Sequence, residues 1–427
     1  MKKIILLLAL YSGLSACAQK GEDVITKSEV LRIENVLASD EMKGRRTGSP
    51  EIDKAAAFIA DEFKKAGLQP AGASFLQDFI MVRPKFISVK AEIDKVELDP
   101  KNVIVVTSTT DLKVNEKMGY RIKYFNAQTI KDGASLTRAA RAAVTAKENS
   151  VVFVDTSFSK IFPRLTGLKR QIFKSPYSTI FILGSYQPKE FSIKAEHSNE
   201  ESTLKNVVGV LPGKTKKAEY VIFSAHYDHI GIGKPLDGDS IYNGANDDAA
   251  GTTAVIMLAQ HYKKLANNER TLVFVAFTAE EVGGFGAQYF SQQLAPDSIV
   301  AMFNIEMIGT ESKWGRNSAF ITGFEKSSMG AILQEALKGS SFTFHPDPYP
   351  DQQLFYRSDN ATLARLGVPA HTISTSKMDS EPNYHKPSDE VETLDLDNMT
   401  EIIKAIARSA GSIVSGKQTP SRVALEN

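Results

Sequence analysis

From residue 206 onward the hydrophobic positions alternate between two patterns. Val207-Val208-Gly209-Val210-Leu211 and Tyr220-Val221-Ile222-Phe223-Ser224 are short, nearly continuous apolar runs that predict strands. Residues 271–277, 299–305, 318–322 and 370–374 repeat the signature. Between them, residues 249–265, 286–294, 328–337, 360–366 and 399–413 predict helices. Strands interleaved with helices imply an α/β sheet covered on both faces. Nearer the start, Val30, Leu31, Ile33, Val36 and Leu37 recur at helical spacing, and Ala56, Ile59, Ala60 and Phe63 repeat it up to Gly67. Between these helices, residues 44–50 (GRRTGSP) predict a loop. Residues 90–200 differ: β-rich runs at 103–107, 150–154 and 179–183 surround one Ala-rich helical stretch at 136–147, without a motif of titratable or glycine residues. An inserted or capping subdomain is expected there.

Composition narrows the function classes. The chain has 427 residues, 51 Lys plus Arg against 50 Asp plus Glu, and a formal charge of +1. That balance argues against nucleic acid as a partner, since phosphate binding needs a basic excess or stripe. One cysteine, Cys17, excludes an intramolecular disulfide and a thiolate metal cluster. Its position is informative. A basic start at Lys2 and Lys3, an apolar run from Ile4 to Leu10, and Leu14-Ser15-Ala16-Cys17 make a secretory leader resembling the lipobox of bacterial lipoproteins. The run is too short to span a bilayer. Cys17 is therefore expected to be the mature N-terminus and the lipid attachment point, anchoring an exported protein to a bacterial membrane in the cell envelope; a plain leader with Cys17 incidental is the alternative. Without residues 1–16 the mature chain carries 49 basic and 50 acidic residues, close to −1.

The polar chemistry concentrates in five segments. They are Ser224-Ala225-His226-Tyr227-Asp228-His229, Asn243-Gly244-Ala245-Asn246-Asp247-Asp248, Thr278-Ala279-Glu280-Glu281, Asn304-Ile305-Glu306-Met307-Ile308-Gly309 and Asn383-Tyr384-His385-Lys386-Pro387. Four of them follow a hydrophobic strand or open a helix, and loops beyond the carboxyl ends of strands converge on ligand sites in α/β sheets. Imidazoles and carboxylates without a thiolate suit a divalent metal such as zinc. In His226-x-Asp228 both side chains share one face of extended chain, so Asp228 can orient the ring from behind. Glu280 and Glu281 are adjacent and diverge in extended backbone, leaving one to bind metal and the other to face an activated water. Singly, each motif has a plainer reading: a satisfied pair for His226-x-Asp228, a helix cap for Asp247-Asp248, a solvated turn for Glu280-Glu281, a loop histidine for His385.

Taken together and in order, these segments resemble metallopeptidase family 28, the co-catalytic zinc exopeptidases. The matching stretches are SAHYDHIG, YNGANDDAAGTTAV, FTAEEVGGFGAQYF, NIEMIG and NYHKPSDEVETLD, covering roughly residues 201–415, with a weaker likeness near the start. The resemblance implies a three-layer α/β sandwich whose mixed, mostly parallel central sheet is covered by helices on both faces, plus an inserted β-rich subdomain. It implies two Zn2+ per chain, with His226 and Glu281 completing one site, Glu306 and His385 the other, and Asp247 bridging both. Glu280 would be the general base, Asp228 the orienting carboxylate, and Tyr384 the phenol beside the oxyanion. Two departures stand out: Glu306 where many members carry Asp, and Asn360 where relatives often carry histidine outside the ligand set.

The implied activity is peptide-bond hydrolysis by a metal-activated water, as an aminopeptidase first and a carboxypeptidase or dipeptidase second. Glutaminyl cyclase chemistry and a non-catalytic surface-binding lipoprotein that keeps the scaffold are the rivals. The partner is a peptide substrate, and oligomeric state is left open. The expected organisation is a leader (1–16), a tether (17–24), an N-terminal part of the catalytic domain (25–90), the insert (91–200), the main catalytic domain (201–416) and a polar tail (417–427).

Overall fold

The computed structural model describes residues 24–425. The leader, Cys17 and almost all of the tether lie outside the described residues. The chain divides into two compact units: one holds the described residues up to Asp78 and from Leu204 onward, the other Phe79–Thr203.

The first unit is built on a mixed sheet. Its strand order runs Thr343–Pro346, Ser318–Ile321, Ala370–Ser374, Ile299–Ile305, Lys216–His226, Arg270–Phe277 and then residues 207–211 of the strand Phe191–Leu211. Four central neighbours, from Ala370–Ser374 to Arg270–Phe277, are mutually parallel. Antiparallel pairing occurs where Ser318–Ile321 meets Ala370–Ser374 and where Arg270–Phe277 meets residues 207–211. Side-chain alternation sends each strand's residues to two separate cores. Leu272, Phe274 and Ala276 join the helices Lys27–Leu37, Pro50–Lys65, Ala250–Leu265 and Leu396–Ser409 on one face. Val273, Val275 and Phe277 join the helices Phe285–Phe290 and Asn360–Ala364 on the other. Both faces are dry, which is why these strands read as apolar runs and not as alternation. The protein is thus the expected α/β sandwich. Three predicted helices end early or break: 286–294 stops at Phe290, 360–366 stops at Ala364, and 399–413 divides into Leu396–Ser409 and Gly411–Val414. Beyond them the chain stays attached, with Val423 buried and Arg422 donating to the carbonyl of Ile299 at 2.8 Å.

The second unit carries a four-stranded sheet in the order Val103–Val106, Thr179–Leu183, Ser150–Val154, Arg121–Phe125. Ile104, Val152, Val154 and Phe181 face the helix Gly133–Thr145 through Leu136, Ala140 and Ala143. Val105, Val151, Phe153, Ile180 and Ile182 pack instead on Val89, Ala91, Leu112, Val114 and Ile193. Among the described residues no helix is long and apolar enough to cross a membrane.

One core group gives stability a pH dependence. Glu34, on the helix Lys27–Leu37, is fully buried, and burial pushes its carboxyl up to about 8 from an ordinary 4.5. Within that window the folded chain keeps a proton that the unfolded chain has lost, so stability falls as pH rises. Glu34→Gln removes this contribution. Its denaturant midpoint should drop less between about pH 5 and about pH 8 than the parent's; equal drops would show that Glu34 ionises freely in the fold.

Candidate active site

The parallel register sets the site. His226 ends the strand Lys216–His226, and Glu306 directly follows Ile299–Ile305, its neighbour, two residues past the Ser224–Asn304 pair. Glu280 and Glu281 lie beyond Arg270–Phe277 on the opposite side, and Tyr384 and His385 lie on the loop after Ala370–Ser374. Four adjacent carboxyl ends therefore feed one edge of the sheet. Asp247 arrives from the segment before the helix Ala250–Leu265, and its peptide bond to Asp248 is cis.

Ligand-type atoms converge on Asp247. His226 Nε2 lies 3.2 Å from Asp247 Oδ1, and His385 Nε2 lies 3.2 Å from Oδ2 and 3.3 Å from Glu281 Oε2. His226, Asp247 and Glu306 form one compact donor group; His229, Asp247 and Glu281 form a second. The partition differs from the sequence-based expectation. Glu306, not Glu281, accompanies His226, while Glu281 accompanies His385. The cause is strand order: His226 and Glu306 share a parallel pair, whereas Glu281 comes from the strand on the other side. His229, given no role from sequence, is buried with Nδ1 2.8 Å from Glu281 Oε1, although the two are not aligned as a hydrogen bond. Its signal was its place three residues after His226.

These atoms fit a divalent cation. His226 Nε2, both ring nitrogens of His229, Glu281 Oε1 and Glu306 Oε2 are buried without a hydrogen-bond partner. Buried polar atoms left unpaired are costly unless something satisfies them. Imidazole nitrogens and carboxylate oxygens without thiolate are a zinc-type set. Glu306 joins its group despite its extra methylene.

A surrounding layer holds the backbone of these loops. The Asp228 carboxylate accepts from the backbone N–H of Glu280 at 3.0 Å and of Glu281 at 3.4 Å, and from the Thr47 hydroxyl at 2.9 Å. The expected orienting role for His226 falls instead to the Asp228 backbone carbonyl, 3.0 Å from Nδ1, with the carboxylate at 3.8 Å. Asp248 accepts from the N–H of His226 (3.3 Å), Gly251 (3.0 Å) and Met307 (3.0 Å), tying together the loops that carry His226 and Glu306. Asp389 accepts from the N–H of Asn246 and Asp247 at 2.8 and 3.0 Å. Arg45, fully buried, donates to the carbonyls of Tyr227 (2.9 Å), Asn243 (2.6 Å), Gly244 (2.9 Å) and Leu37. Neither Asp389 nor Arg45 was singled out from sequence. Ala279, Met307 and His385 adopt left-handed φ of 61°, 53° and 55° beside the site. Such strain in non-glycine residues persists only where neighbours over-determine it, as the Asp248 bond to the Met307 N–H and the Asp228 bond to the Glu280 N–H do for the first two. Gly251 leaves room for close approach, since a Cβ there would sit 2.2 Å from the Ile305 carbonyl oxygen. Asn360 is held by Phe355, Ala370 and Thr372 and belongs to neither donor group.

Glu280 belongs to neither donor group but lines the same cavity of about 570 Å³, open to solvent, together with Glu281, Glu306 and Tyr384. Burial pushes its carboxyl well above the ordinary range, with Glu306 and Asp359 adding like charge. Tyr384 stacks on His385 with ring centroids 3.9 Å apart, and partial burial likewise keeps its phenol protonated.

Residues 206–410 match the model of peptidase family M28. A probable leucine aminopeptidase of Trichophyton verrucosum (strain HKI 0517) is 28% identical over 220 residues, covering 49% of this chain and 58% of that protein. Aminopeptidase YwaD of Bacillus subtilis (strain 168) is 22% identical over 256 residues, covering 56% and 50%. The chain thus spans about half the length of the curated relatives it matches. Among solved structures, a zinc aminopeptidase from Bacillus subtilis aligns with a TM-score of 0.54 at 15% identity over 94% of this chain and 98% of that one. An aminopeptidase from Aneurinibacillus sp. strain AM-1 aligns with a TM-score of 0.53 at 16% identity over 96% and 98%. These likenesses show a shared fold.

Proposed function

Residues 206–410 belong to peptidase family M28, and from that premise we propose that the chain is a zinc-dependent exopeptidase acting as an aminopeptidase. The observation that carries this reading is the pair of donor groups sharing Asp247, with half-buried Glu280 in the same cavity and part of neither. His226, Asp247 and Glu306 would hold one ion; Asp247, Glu281 and His385, with His229 adjacent, would hold the other. Zinc bound there supplies Lewis acidity toward a peptide carbonyl and lowers the pKa of a water.

The remaining work belongs to the chain. Glu280 accepts the proton of the attacking water and returns it to the leaving amine, a task open to the one cavity-lining glutamate that belongs to neither donor group. The Asp228 carboxylate fixes Glu280 through its backbone N–H, so the base is placed by a contact outside the reaction. The Tyr384 phenol, on the cavity wall and held protonated, donates a hydrogen bond to the developing oxyanion. Several relatives named as aminopeptidases favour the amino-terminal direction.

A substrate panel tests the direction of attack. Free-amine peptides should be cleaved and their N-acetylated forms resisted. Cleavage of N-blocked peptides bearing a free carboxylate would instead select the carboxypeptidase reading, and cleavage of none would favour a binding lipoprotein.

A further inference from the structure

Among the described residues, one arginine and no lysine lines the same cavity. Arg357 lines it together with Asp247, Glu280, Glu281 and Glu306 and is exposed. It follows the turn Leu354–Tyr356, with its backbone N–H bonded to the Leu354 carbonyl at 3.1 Å. Its guanidinium makes one side-chain hydrogen bond among the described residues, from Nη1 to the neutral Gln352 Oε1 at 3.2 Å. A guanidinium carries five N–H donors in a planar fork that matches a carboxylate, so most of its capacity is unused among the described residues.

Three hydroxyls of the wall offer little competition. Thr372 donates to Asn360 Oδ1 at 2.9 Å, Ser374 to the Met307 carbonyl at 3.4 Å, and Ser376 to Met378 Sδ at 3.6 Å, so these hydroxyl protons are spent within the wall. Phe320 and Leu354, with Met378 against them, make an apolar floor. Charge points the same way. Two bound dications would offset the carboxylates that line the cavity, which leaves Arg357 as a free positive charge on its wall.

We propose that Arg357 is a specificity-determining residue that pairs with a carboxylate of the substrate while the apolar floor takes the substrate's hydrocarbon. The proposal rests on the peptidase reading above. The carboxylate comes either from an acidic side chain at the amino-terminal residue or from the terminal carboxylate of a very short peptide, and the two sources separate experimentally.

The test uses the full chain loaded with zinc, as parent, Arg357→Gln and Arg357→Lys. Two matched substrate pairs are compared: glutamyl and glutaminyl anilides, then leucyl-glycine and leucyl-glycinamide. In one pair the parent should favour the carboxylate-bearing member by about ten-fold or more in kcat/KM, expressed in KM, the range of a charge-assisted hydrogen bond. The ratio should collapse toward unity in Arg357→Gln and return in part in Arg357→Lys, which keeps charge but not the fork. The pair that responds names the source. Calorimetric titration of the same pairs into Glu280→Gln, with and without Arg357→Gln, reads binding without turnover and should show the same selectivity and the same loss. Equal ratios in parent and Arg357→Gln, with cleavage intact, overturn the proposal and leave the peptidase reading standing. If no pair is cleaved, the peptidase reading fails, and titration still decides: carboxylate-selective binding lost with Arg357→Gln supports the role, and unselective binding overturns it.

Discussion

Glu280→Gln is expected to keep the metal content of the parent and to lose roughly 10²–10⁴-fold in kcat, the range for a positioned general base. The reasons are geometric. Glu280 contributes to neither donor group, so its amide isostere removes no ligand. Its tether to Asp228 runs through the backbone N–H, which the substitution retains. What disappears is the capacity to take a proton. Zinc per chain and kcat, measured on the same preparation, check this; turnover near the parent's with zinc intact would place the base elsewhere.

Asp247→Ala should have the larger effect on metal, because Asp247 is the one carboxylate shared by both donor groups. Its two oxygens approach His226 and His385 separately, at 3.2 Å each. Loss of a group that merely supports a ligand costs about 10–100-fold in metal affinity, so loss of this shared ligand should exceed about 10²-fold at both positions. Turnover should fall below that of Glu280→Gln at equal added zinc. The Asp389 bonds to the Asn246 and Asp247 backbone survive the change, which favours an intact fold. Competitive zinc titration with a chelator, alongside near-ultraviolet circular dichroism, measures this. Retention of one ion at parental affinity would mean that Asp247 serves a single site.

Much of the framework was legible because central strands dry on both faces leave apolar runs of strand length; Ile299–Ile305 and Ala370–Ser374 have the predicted bounds. The hairpin Gly231–Leu236 and Asp239–Tyr242 was not, since only Gly231 of its strand residues is buried and they carry no alternating pattern. The convergence of His226, Asp247, Glu281, Glu306 and His385 could be anticipated from residue types at strand ends. Their partition could not, because it depends on which strands lie side by side, and Ile299–Ile305 neighbours Lys216–His226 only after the sheet has ordered itself. Arg45 and Asp389 act through main-chain carbonyls and N–H groups, which every residue possesses, so no spacing of side chains announces them. Arg357 is one arginine among many in the chain until the fold sets it on the wall of the cavity that Glu280 and Tyr384 also line.

The central claim is that paired metal sites sharing Asp247 drive peptide hydrolysis. Its most direct test is to strip the full chain with a chelator, add zinc back stepwise, and follow bound zinc and cleavage of a free-amine peptide in the same samples. Cleavage that is absent without metal and rises to a plateau as two ions per chain bind is the predicted result. No zinc uptake, or cleavage indifferent to zinc, would contradict it.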